Sequence, residues 1–501
     1  MTASKTISAS NPSAPQLTAR LERAAVYTSA LAFPAMALSI SGTQILVAFS
    51  FVFFAAAFVA QKFSQQRRSD ARNIIKFSIV RSLPPAWLAG AAMFAWLVFS
   101  GAWHVAFDLY TSGEWATAMT AAGRAVTNEW SDLPLFLFGL LVFHQCRSDV
   151  ADHRKILGRG FAALVVLLVV SGLAATLFEF RLARLVPHVI KHLFSDQELL
   201  MTASAANRPQ HPFGVYANLQ LYRPIGFMNT RLTFAGLLML AVPFAAVRAF
   251  FPDQPGVRTK LAKRAFWTAI SVAGGALFFL NGTRSILLGA AVTALIGGVL
   301  WLRAFRWPPL RIVGATIVAI AVAGGIYAAS GDVRVQVRRQ LADLERHTDY
   351  ARPVLWTVAG ALVREHPVLG VGPGNFERAG LAWRAAYAAQ HHETWYFFQN
   401  TPRGHAHNDL LHLAAIGGIP AALCFLALIF FTVREIFENP SEPYDRRLVL
   451  LGALGFFVAG VAQCYFQDDE VTTLFWAMLG LATGHARPPG DSNESDQRSE
   501  N

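Results

Sequence analysis

Two histidines stand two residues apart at the start of an apolar stretch. The sequence GHAHND (404–409) leads straight into apolar residues that continue to about 432. An imidazole, whose ordinary pKa lies near neutrality, is suited to take the proton from an attacking hydroxyl group. A histidine that merely caps a helix is one alternative. A metal site is another, although no further Cys or carboxylate stands at a convincing ligand spacing.

Three arginines form a second group of candidates. Arg284 lies in NGTRS (281–285), where two apolar stretches meet with almost no loop between them, and Arg223 and Arg231 flank Gly226. The planar guanidinium fork binds phosphate oxygens in pairs. Several arginines meeting at one boundary of the apolar region would suit a lipid pyrophosphate. Each arginine is also compatible with a plain interfacial anchor.

The elements that carry these residues are predicted from the apolar residues. Of 501 residues, 54% are hydrophobic and only 15% are charged, whereas soluble domains carry about a quarter charged residues. Stretches such as 43–60 and 312–330 contain no charge. They match the roughly 20 apolar residues that a helix needs to cross a bilayer. The sequence therefore predicts an all-α, polytopic membrane protein.

Twelve membrane-spanning helices are predicted. They belong to a single transmembrane domain, 24–485, between disordered tails at 1–23 and 486–501. Cys146, Cys424 and Cys464 fall in or beside apolar stretches and are interpreted as core residues. The predicted spans are about 24–41, 43–60, 84–106, 133–146, 157–179, 232–251, 265–281, 285–304, 310–330, 408–432, 447–466 and 470–485.

The loop charges predict the orientation. Lys and Arg concentrate in alternate loops, such as 61–83 and 252–264, while the loop 107–132 is net acidic. Because Lys and Arg are retained in the cytoplasm, both termini are predicted to be cytoplasmic. The net charge of +12 then points to lipid headgroups rather than to nucleic acid.

The candidate residues all fall on the outer side in this arrangement. Two long outer loops, about 180–231 and 331–407, are predicted to be mostly helical, with an amphipathic helix near 181–195 and a second helix starting at Pro353. The sequence DDE (468–470) is interpreted as a solvated turn, with binding of a cation or an acceptor as the alternative.

Several motifs together resemble the O-antigen ligase and polymerase superfamily of integral-membrane glycosyltransferases. The resemblance covers roughly 215–435, and its motifs are specific for the superfamily but not for one member. The motifs are RPIGFMN (223–229), GTRS (282–285), RPVLW (352–356), EHPVLGVGPGNF (365–376) and HAHN (405–408).

The resemblance implies a GT-C-like inverting glycosyltransferase of the bacterial inner membrane, with its site on the periplasmic side. Its donor would be a glycan on undecaprenyl pyrophosphate, transferred without a metal or another cofactor. His407 would be the general base, and Arg223 and Arg284, with Arg231, would bind the pyrophosphate. The supporting residues would be Arg352, His405 and Asn408.

The acceptor implied is a lipid A–core sugar, for a ligase, or a second lipid-linked glycan, for a polymerase. A ligase often has another glycine or a similar residue three positions after the glycine that matches Gly418, whereas this chain has Ala421, a departure that weakens the preference for a ligase over a polymerase. A different class, a polysaccharide transporter or flippase, would be expected to show internal repeats and charges near the bilayer midplane. The sequence shows neither an obvious repeat nor that distribution of charge.

Overall fold

The computed structural model describes residues 14–66, 83–148, 150–178, 182, 212–216, 219–251, 261–304, 335, 338, 351–390, 404–437 and 450–484, and it is mostly helical. The described α-helices are α1 (Ala14–Met36), α2 (Ile40–Gln66), α3 (Pro85–Ser112), α4 (Trp115–Thr127), α5 (Leu133–Arg147), α6 (Ala151–Leu177), α7 (Arg231–Phe250), α8 (Leu261–Asn281), α9 (Arg284–Ala304), α10 (Ala351–Glu365), α11 (Phe376–Gln390), α12 (Asp409–Phe437), α13 (Leu451–Gly460) and α14 (Asp469–Thr483).

Six of these helices, α2, α3, α6, α7, α9 and α12, are long and apolar enough to cross a bilayer. They make the chain a helical membrane protein, as the hydropathy predicts. Helices also lie on five other predicted spans, whereas the ninth span, 310–330, lies outside the described residues. The count of twelve spans therefore stays a prediction.

Two segments depart most clearly from those predicted. Helix α1 begins at Ala14, so residues 14–23 are helical rather than part of a disordered tail. The eleventh segment was predicted as a span over 447–466, and within its described residues, 450–466, the α-helix covers Leu451–Gly460. The residues after it, 461–468, leave the helix because their backbone groups bond to other elements, including the start of α12.

The first long loop, predicted to be mostly helical, contains a β-hairpin that was not predicted. Strands β1 (Pro212–Tyr216) and β2 (Leu219–Tyr222) pair in an antiparallel hairpin, with Val215 opposite Gln220. Alternating apolar and polar residues such as LQLY favour an extended strand, and the helical prediction gave them too little weight. The amphipathic helix predicted near 181–195 lies, apart from Leu182, outside the described residues. The helix predicted from Pro353 is confirmed as α10.

The core forms around α7 and α14, whose residues are mostly buried. Helix α14 packs on α5, where Gly480 and Gly139 allow the two backbones to come close. Trp476 of α14 packs at 5.8 Å, centroid to centroid, from Trp87 of α3, whose indole N–H donates to Thr483 Oγ1 (2.9 Å). The last described helix is thereby fixed between earlier ones.

Two irregular segments meet at one end of this bundle. Residues 461–468, which we call the connecting segment, link α13 to α14, and residues 366–375, the glycine segment, link α10 to α11. The glycine segment lies against a kink in α12 at Gly418, whose φ of 73° and ψ of −175° are not helical. The N–H of Val371 donates to Ala415 O (2.8 Å) and that of Ile419 to Pro367 O (2.8 Å) across this kink.

Candidate functional site

His407 lies in a tight turn immediately before α12. Its φ of 49° makes it the single non-glycine residue with a positive φ in the described part of the chain, a conformation that costs about 1–2 kcal/mol. Its Nδ1 lies 2.9 Å from Gln463 Oε1. Since an amide oxygen only accepts hydrogen bonds, Nδ1 carries the proton, and Nε2 carries the lone pair that can take another.

Asn408 fixes this turn to the connecting segment. Its side-chain oxygen accepts from the N–H of Leu411 (2.9 Å), which is an N-cap of α12, and its amide nitrogen donates to Val461 O (2.8 Å). Its backbone N–H donates to Cys464 Sγ (3.2 Å). The Asn408 side chain thus both caps α12 and bonds to the connecting segment, so the direction of α12 and the position of His407 are determined together.

His405 lies next to His407, with ring centroids 4.4 Å apart in an edge-on arrangement. Burial, and then its neighbours His407 and His412, lower the pKa of His405 to about 3. His405 is therefore neutral at any physiological pH. It contributes shape and a buried wall beside His407, without a charge.

The candidate arginines are held together by Asn281, which is fully buried at the end of α8. Its amide donates to Pro224 O (2.9 Å) and to Arg231 O (3.1 Å). The first bond holds the backbone beside Arg223, the second holds the start of α7, and Arg284 follows three residues after Asn281. One amide therefore joins the segments that carry all three arginines.

The charge of Arg231 is repelled by the charges of two other arginines. Arg284 and Arg352 both lie within electrostatic range of Arg231, and Arg231 and Arg284 are exposed. Arg231 and Arg284 are also the first residues of α7 and α9. Helix N-termini carry a partial positive charge and unpaired N–H groups. The region therefore concentrates positive charge that would favour an anion.

The connecting segment joins the arginine region to the histidine turn. Asp468 accepts a hydrogen bond from Thr233 (2.6 Å), two residues after Arg231, and Tyr465 lies within electrostatic range of Arg352. At its other side the same segment contacts His407 through Gln463. The two sets of candidates thus lie at the same end of the bundle. Asp468 and its two acidic neighbours are partly buried, and Asp469 and Glu470 form the first turn of α14, so they are less exposed than the predicted solvated turn.

Glu129, from the short 3₁₀ helix Glu129–Asp132, joins the glycine segment to this site. It accepts from the backbone N–H of Gly374, contacts His412 Nε2 (3.2 Å) and accepts from Gln467 Nε2 (3.3 Å). Glu129 is only 4% exposed, and a buried carboxylate without hydrogen-bond partners would be costly. It therefore fixes α12, the glycine segment and the connecting segment relative to one another.

Sequence reasoning missed Gln463 and Glu129. Gln463 stands in a run that hydropathy assigns to a span, and a polar residue there, followed by QDDE (467–470), was the available signal. Glu129 stands in the net acidic loop between α3 and α5, where it contributed only to the count of charges. Both contacts join residues far apart in the chain, which one sequence does not show.

The comparison with protein families gives one match. Residues 269–426 match a family model described as O-antigen ligase. The match includes Arg284, Arg352 and the histidine turn, and it excludes Arg223, Arg231 and the connecting segment. The search of curated proteins finds no match to this chain.

Proposed function

We propose that this chain, which belongs to the O-antigen ligase superfamily, transfers a glycan from undecaprenyl pyrophosphate to a hydroxyl group on an acceptor. The reaction would take place at the periplasmic side of a bacterial inner membrane, where the predicted orientation puts the histidine turn and the arginines. The proposal is supported most strongly by one observation. The connecting segment contacts His407 and also the start of α7, so that a base and a group of cations belong to one site.

His407 acts as the general base in this proposal. Its Nε2 takes the proton of the acceptor hydroxyl while the hydroxyl oxygen bonds to the anomeric carbon of the donor. Gln463 holds the other proton on Nδ1, which keeps the correct nitrogen available for the transfer. Neutral His405 beside it adds no repulsion when His407 becomes an imidazolium.

Arg223, Arg231 and Arg284 bind the pyrophosphate, with Arg352 close by. As the bond between the anomeric carbon and the phosphate oxygen breaks, its electron pair moves to that oxygen. The guanidinium groups and the N-termini of α7 and α9 stabilise the charge that develops. Fixed cations meet this electrostatic need without a metal. Attack from the side opposite the leaving group inverts the anomeric configuration.

The test of this function is the loss of transfer in His407→Ala. Removing a general base lowers a rate by about 10²–10⁴-fold, so the purified variant should be nearly inactive in transfer from the lipid-linked donor. His144→Ala is a matched control, because His144 is an exposed histidine at the far end of α5. Near-normal transfer by His407→Ala, at normal membrane levels, would remove His407 from the mechanism.

A ligase and a polymerase differ in the acceptor rather than in this chemistry. Deleting the gene and separating the surface polysaccharide on a gel distinguishes them. Loss of long chains from lipid A–core, with polymer still on the lipid carrier, indicates a ligase. Products with a single repeat unit indicate a polymerase. A flippase would form no glycosidic bond, so it would not transfer glycan to an acceptor in detergent.

A further inference from the structure

A cavity lies between the glycine segment, α3 and α11. It has a volume of about 690 Å³, within the range of small-molecule sites, roughly 300–1,000 Å³. Its floor is the backbone of residues 366–371, and its walls are the last turns of α3 and the first turns of α11. None of the residues assigned above to the base or to the pyrophosphate lines it.

The lining combines aromatic faces with hydrogen-bonding groups. Trp103 and Phe107 are one helical turn apart on α3 and are each about half exposed, at 52% and 53%. Asp108 and Arg378 line the same cavity and add an acceptor and a donor. A sugar ring has apolar C–H faces and a rim of hydroxyl groups. Aromatic side chains can cover the faces, while a carboxylate and a guanidinium bond the rim.

This lining is poorly matched to a lipid chain. Another cleft, of about 630 Å³ between α7, α8 and α9, is lined without any charged side chain. An acyl or prenyl chain would favour that apolar cleft, because it needs no polar partner. Burying the same chain in the cavity beside the glycine segment would remove water from Asp108 and Arg378 without giving either charge a partner.

The walls of the cavity are fixed in advance. His104 Nε2 lies 3.1 Å from Gly370 O, and Ser100 Oγ donates to Leu369 O (2.7 Å). Asn375 accepts from Arg124 Nε (3.1 Å) and donates to Val371 O (3.1 Å). A site that is already ordered loses little conformational entropy when it binds a ligand.

The contacts also place the cavity relative to the reaction. The connecting segment touches the arginine region through Asp468 and touches Glu129 through Gln467. Glu129 in turn holds Gly374, beside Asn375 in the cavity wall. In this chain of contacts the arginines come first, the histidine turn and Glu129 follow, and the cavity comes last. An inverting transfer requires the acceptor to approach from the side away from the leaving pyrophosphate.

We propose that this cavity binds the saccharide of the acceptor, with Trp103 and Phe107 against the sugar faces and Asp108 and Arg378 on its hydroxyl groups. The inference rests on the proposed function, since it assigns the second substrate of the same reaction. In this proposal Trp103 contributes to the affinity for the acceptor, whereas the arginines bind the donor.

The test is steady-state kinetics of Trp103→Ala with both substrates varied. The acceptor is purified lipid A–core, or the lipid-linked repeat unit if only that supports wild-type transfer. The KM for the acceptor should rise about tenfold, as expected for the loss of one aromatic face, while the KM for the donor stays within about twofold. Asp108→Asn should change the same constant. Trp115→Ala is the matched control, because Trp115 is exposed on α4 outside the cavity.

Two results would overturn the assignment. One is an unchanged KM for the acceptor in both Trp103→Ala and Asp108→Asn. The other is a loss of co-purified phospholipid from these variants without any change in the acceptor KM, which would make the cavity a lipid site. A wild-type protein that transfers glycan to neither acceptor would instead refute the proposed function. The two failures are therefore distinguishable.

Discussion

The partner of His407 is a neutral amide. Many histidine bases are oriented by a carboxylate, which also stabilises the imidazolium. Here Gln463 orients the ring and supplies no charge. Glu129, a buried carboxylate of the same region, is bonded to His412 and Gly374. Orientation of the ring by this amide can be tested separately from the charge that a carboxylate at the same position would add.

Gln463→Glu should change the pH dependence of transfer. A carboxylate beside Nδ1 favours the protonated imidazole, so the acidic limb of the pH–rate profile should move to higher pH by about one unit or more. Activity at pH 6 should fall more than activity at pH 8. The measurement is kcat/KM for the donor between pH 5.5 and 9.

His405 does not complicate that profile. Because the pKa of His405 is lowered to about 3, His405 stays unprotonated over the whole range and contributes no limb of its own. His405→Gln should leave the acidic limb where it is. An identical profile for Gln463→Glu and the wild type would mean that Gln463 does not act on the base.

Arg284→Lys should weaken donor binding. Lysine keeps the charge but cannot make paired hydrogen bonds to a phosphate, and the loss of a charged hydrogen bond of about 1.5–3 kcal/mol corresponds to about tenfold or more in the donor KM. Arg248→Lys, at the opposite end of α7, is the control and should have no effect on the donor. A wild-type donor KM in Arg284→Lys would argue against a pyrophosphate contact at this position.

The residue types were predictable from the sequence, whereas their partners were not. His407 and Arg284 stand out because polar groups interrupt apolar stretches at positions where they are costly. Gln463 and Glu129 are equally polar, but their roles depend on contacts with residues that are 56 and 245 positions away in the chain. Hydropathy and spacing report on local structure, so contacts of that length are beyond their reach.

At the scale of elements, the kink in α12 organises the site. Gly418 has a φ and ψ that are accessible essentially only to glycine, and a Cβ there would lie 2.1 Å from Val368 O. The kink opens the backbone of α12 to the glycine segment, which then bonds across it. A regular helix at this point would pair the N–H of Ile419 with Ala415 O, and it would leave the Val371 N–H and Pro367 O of the glycine segment without these partners.

Gly418→Ala should destabilise the protein by about 2 kcal/mol or more, through backbone strain and the clash with Val368. Transfer activity should fall with it, because the glycine segment would lose its place on α12. The measurement is thermal unfolding in detergent together with transfer rate. Gly298→Ala is the matched control, since Gly298 lies in α9 with open space around its Cβ position, and there alanine favours the helix.

If Gly418→Ala unfolds at the wild-type temperature with full activity, the kink is not required.

The helices themselves were well predicted, because apolar stretches of sufficient length become helices in a bilayer. The kink, the β1–β2 hairpin and the connecting segment were not. Each is an irregular segment whose conformation depends on the tertiary contacts it makes, such as Asn408 with Val461.

At the scale of the whole molecule, the orientation determines whether the proposed chemistry is available. The structure puts the start of α9 and the histidine turn at the same end of the bundle through the connecting segment. The loop charges predict that this end is outside. Positive charge in alternate loops is a property of the sequence, so the orientation remains its prediction.

Single cysteines introduced near residues 284 and 404, in a background without the three native cysteines, should react with an impermeant maleimide in intact spheroplasts. A cysteine at Ser148, between α5 and α6, should react only after the membrane is opened. The measurement is labelling with and without permeabilisation. Labelling of residues 284 and 404 from opposite sides would be incompatible with the proposed function.

The connecting segment and α14 come after every other described part of the site in chain order. During synthesis, Glu129 and the histidine turn therefore enter the membrane well before Gln463, Gln467 and Trp476 have left the ribosome. Until then a buried carboxylate near the start of α5 lacks one of its donors. A nascent chain arrested before residue 461 would be inserted but catalytically unfinished, and quality-control proteases would encounter it with its polar interior exposed. The proposed site is therefore complete only after the connecting segment and α14 have been synthesised and inserted.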